Sequence, residues 1–236
     1  MHSGGDMTLG HSGSDLELPV EGGSLSGYVS VPAAKRGPGV LVLHEAWGLV
    51  DHVRDVCDRF AREGFVALAP DLYRGEATAD PDSAGRLMLD LEIPRAARDL
   101  DGAVAALLSH DAVDGSRVGA IGFCMGGQLA LYAATQNPRI GAVADFYGVH
   151  PKVELDLSAL EAPVLGVFAE LDEFVPPAAA RTLETALREA GKRSDFTIHP
   201  GVRHAFFNDT RPDVFDAEAS ARAWGDTLAF FRAELQ

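Results

Sequence analysis

Short apolar runs alternate along the chain with stretches whose apolar residues recur every three or four positions. That alternation predicts βαβ units around a mostly parallel sheet. Residues 26–31 (SGYVSV) read as an edge strand ended by Pro32, and residues 39–44 (GVLVLH) as a buried strand, being almost continuously apolar. Residues 51–63 are helical, with Val53, Val56, Cys57 and Phe60 on one face and Gly64 as the stop. A strand over 65–69 (FVALA) is closed by Pro70, and the Gly/Asp/Pro-rich segment 74–85 predicts an irregular excursion with a short helix near 83–91. A helix over roughly 94–109 buries Leu100, Val104 and Leu107. A strand at 117–121 (RVGAI), a turn through 122–127 and a helix to about 136 come next. Strands at 140–146 and 163–169, a helix at 177–190, a strand at 194–199 and a helix at about 213–234 complete the series. The expected architecture is a single α/β domain over 15–236, with a central sheet covered by helices on both faces. The Gly/Ser-rich residues 1–14 are expected to form a flexible lead without the basic start or apolar middle of a signal peptide.

Composition narrows the classes of partner. The 236 residues carry 35 acidic and 20 basic side chains, a formal charge of −15, so no basic patch is available to neutralise phosphates and nucleic acid is excluded as a partner. No apolar run approaches the roughly 18–20 residues a membrane span needs, which predicts no membrane partner and a cytoplasmic location. Two cysteines, Cys57 and Cys124, are too few for a secreted disulfide framework, and both are expected to be reduced. A monomer or homodimer is expected.

Candidate chemistry begins at residues 122–126, Gly-Phe-Cys-Met-Gly, placed between an apolar strand and a helix. This is the cysteine version of a G-x-S-x-G elbow. Glycines flank the nucleophile because it occupies a sharp turn in which a neighbouring Cβ would strike the crossing backbone. The turn sets the sulfur at the carboxyl end of the sheet, where open α/β sheets bind ligands. It also points the sulfur at a helix amino end, which favours thiolate and offers free amides to an oxyanion. A small core cysteine in a tight turn explains the five residues equally well. A phosphate loop is excluded because no G-K-[ST] is present.

The order of the downstream residues separates these readings. An elbow nucleophile is succeeded in the chain by an acid and then a histidine. Asp172 stands just beyond the strand 163–169, and His204 stands in the loop before the final helix. His204 would manage the thiol proton, and Asp172 would fix its tautomer. Glu170 competes with Asp172, and His199 with His204; His199 still belongs to a strand and abuts Pro200, which favours His204.

These residues resemble the dienelactone hydrolase (carboxymethylenebutenolidase) family of the α/β-hydrolase superfamily over roughly 15–234. The resemblance rests on HEAWG (44–48), APDLYRG (69–75), GFCMGG (122–127), FYGVH (146–150), AELDEFVP (169–176) and HAFFND (204–209). It implies a Cys124–Asp172–His204 triad cleaving a small-molecule ester or lactone without metal or cofactor. It further implies that the Glu45 carboxylate contacts the resting thiol, and that the amide of Ala46 joins that of Met125 as oxyanion donor. Trp47 and Tyr147 would line the substrate pocket, with packing as the alternative for each. The family's arginine four residues beyond the histidine, a carboxylate binder, is here Asn208. Arg86 is a loose match to a second such arginine, against a solvated helix charge. Two further readings stand beside the dienelactone-like one: a broad esterase or thioesterase with a less anionic substrate, and a non-catalytic ligand-binding protein of hydrolase fold.

Overall fold

The computed structural model describes residues 11–235. Eight strands form one sheet: β1 (His11–Val20), β2 (Gly23–Pro32), β3 (Gly37–Leu43), β4 (Val66–Pro70), β5 (Val113–Phe123), β6 (Ile140–Phe146), β7 (Val164–Ala169) and β8 (Ser194–His199). Their order is β1-β2-β4-β3-β5-β6-β7-β8. β1 and β2 run antiparallel at one edge, and every pairing from β4–β3 through to β7–β8 is parallel. The helices are α1 (Asp51–Arg62), α2 (Pro81–Asp90), α3 (Ile93–Leu108), α4 (Met125–Gln136), α5 (Pro177–Glu189) and α6 (Ala217–Glu234). The result is the α/β-hydrolase fold. Among the described residues, no helix is long and apolar enough to cross a membrane.

Continuous apolar runs such as β3 arise because both faces of the sheet are covered. Leu41 and Leu43 pack with Leu100, Val104 and Leu107 of α3 and Leu129 of α4. Val40 and Val42 point the other way, to Val53, Val56 and Phe60 of α1 and Phe231 of α6. All four strand residues are fully buried, and each contributes roughly 1.5–3 kcal/mol through removal from water.

Three expectations change. β2 is not the edge, because β1 pairs along it from His11↔Pro32 to Val20↔Gly23. Residues 11–14 of the expected flexible lead therefore belong to a strand, and its residues 1–10 lie outside the described part. β1 escapes a periodicity reading because only Leu18 is buried in it. Main-chain pairing holds it, with Asp15 against Arg54 and His11 3.3 Å from Asp58 on α1. The last helix starts at Ala217 rather than 213, where the Asp216 carboxylate accepts the Ala219 amide at 2.8 Å.

Candidate active site

β5 ends at Phe123 and α4 begins at Met125, so Cys124 alone turns the chain, at φ 53° and ψ −123°. Such a conformation costs a side-chain-bearing residue about 1–3 kcal/mol and persists only where the surroundings impose it. Here the Cys124 amide donates to the Phe146 carbonyl at 3.0 Å, and its carbonyl accepts from Gly127 (3.0 Å) and Val149 (3.2 Å). The flanking glycines are sterically required. A Cβ on Gly122 would come 1.9 Å from the Gly126 carbonyl oxygen, and one on Gly126 would come 2.5 Å from that of Leu43. Met125 opens α4, so its amide has no acceptor within the helix.

The loops after β7 and β8 bring Asp172 to His204. Asp172 is buried, with Oδ1 accepting the amides of Phe174 and Val175 at 2.8 Å each and Oδ2 lying 2.7 Å from His204 Nδ1. The imidazole sits between the rings of Tyr147 and Phe174, 4.9 and 5.0 Å away between centroids. Burial pushes its pKa down, but the hydrogen bond to Asp172 and the nearness of Cys124 outweigh that and hold it up at about 10. With Nδ1 on Asp172, Nε2 is the nitrogen left for sulfur. The rivals are engaged elsewhere: Glu170 accepts the Gly201 amide at 2.8 Å, and His199 packs on Phe206.

A histidine pKa raised from about 6.5 to about 10 gives a signed expectation. The stability contributed by protonated His204 is complete below pH about 6.5 and is lost as pH rises through about 10. The melting-temperature difference between the parent and His204→Gln should therefore shrink between neutral pH and about pH 10. A difference that stays constant or grows across that range would contradict the bonded imidazole.

The loop after β3 is built around a neutral histidine. His44 is fully buried, and desolvation lowers its pKa. Its Nε2 accepts the Leu72 amide at 3.2 Å, which leaves the proton on Nδ1 to donate to the Glu45 carbonyl at 2.7 Å. That bond fixes the peptide bearing the Ala46 amide, which has no acceptor among the described residues. The Glu45 side chain departs from what the resemblance implies. Its Oε2 accepts from Asn208 Nδ2 at 2.6 Å, and its buried Oε1 has no partner, so the carboxylate is turned to Asn208 rather than bonded to the thiol. The Thr210 amide and hydroxyl, both donating to Asn208 Oδ1, orient that amide.

Asn208→Ala would leave the Glu45 carboxylate buried without its donor. We expect a loss of about 2 kcal/mol in urea unfolding, largely recovered in the double variant with Glu45→Gln.

The remaining candidates divide. Trp47 lines a cavity of about 330 Å³ together with Val50, Pro81, Asn208 and Arg211. Tyr147 does not line it; fully buried, the ring supports His204, and burial together with nearby Glu45 and Cys124 pushes the phenol pKa up. Arg86 is not brought to the site either. It is exposed on α2 and donates to the Ser83 hydroxyl, one turn earlier, at 2.7 Å.

Sequence reasoning missed the clamp behind the site. Asp209 joins Arg59 and lies 3.3 Å from His52 Nδ1, both on α1. Phe207 stacks on Phe123 with centroids 5.3 Å apart, tying the His204 segment to the end of the strand that leads into Cys124. His52 adjoins the apolar stripe of α1, and that adjacency is the only sequence signal of its inward position.

The model of the dienelactone hydrolase family matches residues 25–235. The sequence is 36% identical over 230 residues to Protein usf of Aquifex pyrophilus, covering 94% of this chain and 99% of that one. It is 33% identical over 231 residues to a protein of Aquifex aeolicus named "Putative carboxymethylenebutenolidase", covering 95% and 100%. Among solved structures, a dienelactone hydrolase-like promiscuous phosphotriesterase from metagenomic libraries superposes with a TM-score of 0.86 at 25% identity, over 96% of this chain and 100% of that one. An esterase of Pyrobaculum calidifontis shares the fold, with a TM-score of 0.75 at 20% identity, over 94% and 85%.

Proposed function

Because the chain belongs to the dienelactone hydrolase family, a family of hydrolases, we propose that it cleaves a carboxylic ester or lactone with Cys124 as nucleophile, His204 as acid and base, and Asp172 as the group that orients His204. One observation carries this reading: Asp172 bonds at 2.7 Å the imidazole of His204, which lies near enough to Cys124 in the strained elbow for the two to interact.

The steps derive from the charges. The thiolate is the nucleophile, and His204 is the base that takes the thiol proton. Sulfur attacks the carbonyl carbon, and the carbonyl oxygen takes the negative charge between the amides of Ala46 and Met125. Collapse breaks the ester C–O bond, and the leaving oxygen takes the His204 proton. His204, now neutral, draws a proton from water, whose oxygen displaces sulfur and releases the acid. The reaction needs no cofactor. Incubation with a slowly deacylating aryl ester, then mass spectrometry, should find the acyl mass on the Cys124 peptide. Acyl groups distributed over surface lysines, with Cys124 unmodified, would refute the thioester.

Two placements favour the less anionic substrate within this reading. Asn208 commits its amide to Glu45, and Arg86 faces solvent, so neither supplies a free cation for a substrate carboxylate. At those two positions an uncharged group is the better fit.

A further inference from the structure

If the chain is an ester hydrolase, the reading on which this inference rests, the shape of the cleft decides which esters enter. Two cavities lie on either side of Arg211, one bordering His204 and the other bordering Asn208. The first, about 330 Å³, is walled mainly by Trp47, Val50, Ala79 and Pro81 and reaches Asn208. The second, about 220 Å³, is walled by Leu171, Phe174 and Arg203 and reaches His204. Among the described residues, Arg211 alone lines both.

Arg211 is fixed at its backbone and adjustable at its tip. Its amide donates to the Asn208 carbonyl at 3.1 Å, and its carbonyl accepts the amides of Val214 (3.1 Å) and Phe215 (2.9 Å). Its guanidinium carbon lies 5.5 Å over the Trp47 ring, and Nη2 donates to Asp213 at 3.0 Å. Asp213 offsets the charge, so the side chain acts on a substrate chiefly through the volume it fills. The ion pair is exposed and contributes little to holding the arm.

We propose that the Arg211 side chain is a partition between the two cavities and a specificity-determining residue, admitting compact esters and lactones that occupy one cavity and refusing extended esters that need both. The geometry behind this is the stacked guanidinium between the Trp47 side and the His204 side. Shortening the side chain joins the two spaces into one cleft.

The test compares phenyl acetate with phenyl 3-phenylpropanoate, which is bulky on both sides of its carbonyl. In Arg211→Ala the ratio of kcat/KM, extended over compact, should rise about tenfold, a size in the range by which pocket shape discriminates apolar groups. Arg211→Gln, less truncated, should move it in the same direction by less, and it serves alone if the alanine variant does not fold. A second readout requires no hydrolysis: the alkylation rates of Cys124 by 2-iodo-N-phenylacetamide and by iodoacetamide. Cys57 is fully buried, so labelling reports Cys124. The ratio of bulky to small reagent should rise in the same variants. If parent and variants turn over esters with both ratios unchanged, the partition is overturned and the ester reading stands. If neither ester is turned over but the alkylation ratio rises, the partition stands and the ester reading falls.

Discussion

Cys124→Ala is expected to lower aryl-ester turnover about ten-thousand-fold or more while leaving thermal unfolding close to that of the parent. The size reflects removal of the only group at the elbow that can form a covalent bond to the acyl carbon. Loss of a triad nucleophile costs about 10⁶ in a well-studied protease, with a residual contributed by the oxyanion donors. Stability is spared because alanine at φ 53° carries much the same backbone strain as cysteine, and the hydrogen bonds to Phe146, Gly127 and Val149 are main-chain bonds. Steady-state hydrolysis beside a calorimetric scan reads both quantities. Turnover within about tenfold of the parent would remove Cys124 from the mechanism.

Gly122→Ala is expected to damage the fold and the activity together. Its Cβ would meet the Gly126 carbonyl oxygen at 1.9 Å and the Gly127 nitrogen at 2.6 Å, both backbone atoms that cannot rotate aside. Relief requires the strand-to-helix turn to open, which displaces Cys124 and the Met125 amide. We expect a loss above about 4 kcal/mol, which for a chain of this length lowers the melting temperature by about 10 °C or more. Gly85→Ala is the matched control. It lies within α2 with nothing within 4 Å of the added Cβ, and alanine there should stabilise by about 0.5–1 kcal/mol through helix propensity. Equal melting temperatures for the two variants would show that the elbow glycine is not sterically required.

Most of the element order was legible because helices and buried strands write their period into the chain. Strand 140–146 and the helix beginning at 177 coincide with β6 and α5 at the stated residues, the latter to within one residue at its end. The elbow was legible for a related reason, since Gly122, Cys124 and Gly126 interact across four residues. β1 was not, because an edge strand held by main-chain pairing needs almost no apolar residues. Glu45 and Asn208 lie 163 positions apart. No local pattern states that a carboxylate on one loop will choose an amide on another over a thiol nearby.

By itself the sequence determined the α/β architecture, the strained cysteine turn and the succession Cys124, Asp172, His204, because each depends on periodicity, on short-range sterics or on simple order along the chain. Only the tertiary structure decided which side chains meet. It gave Glu45 to Asn208, left Arg86 in solvent, buried Tyr147 behind His204 and set Arg211 between two cavities. The physical reason is that hydrogen-bond and stacking partners are selected by packing among loops from opposite ends of the chain, and that selection has no counterpart in residue spacing.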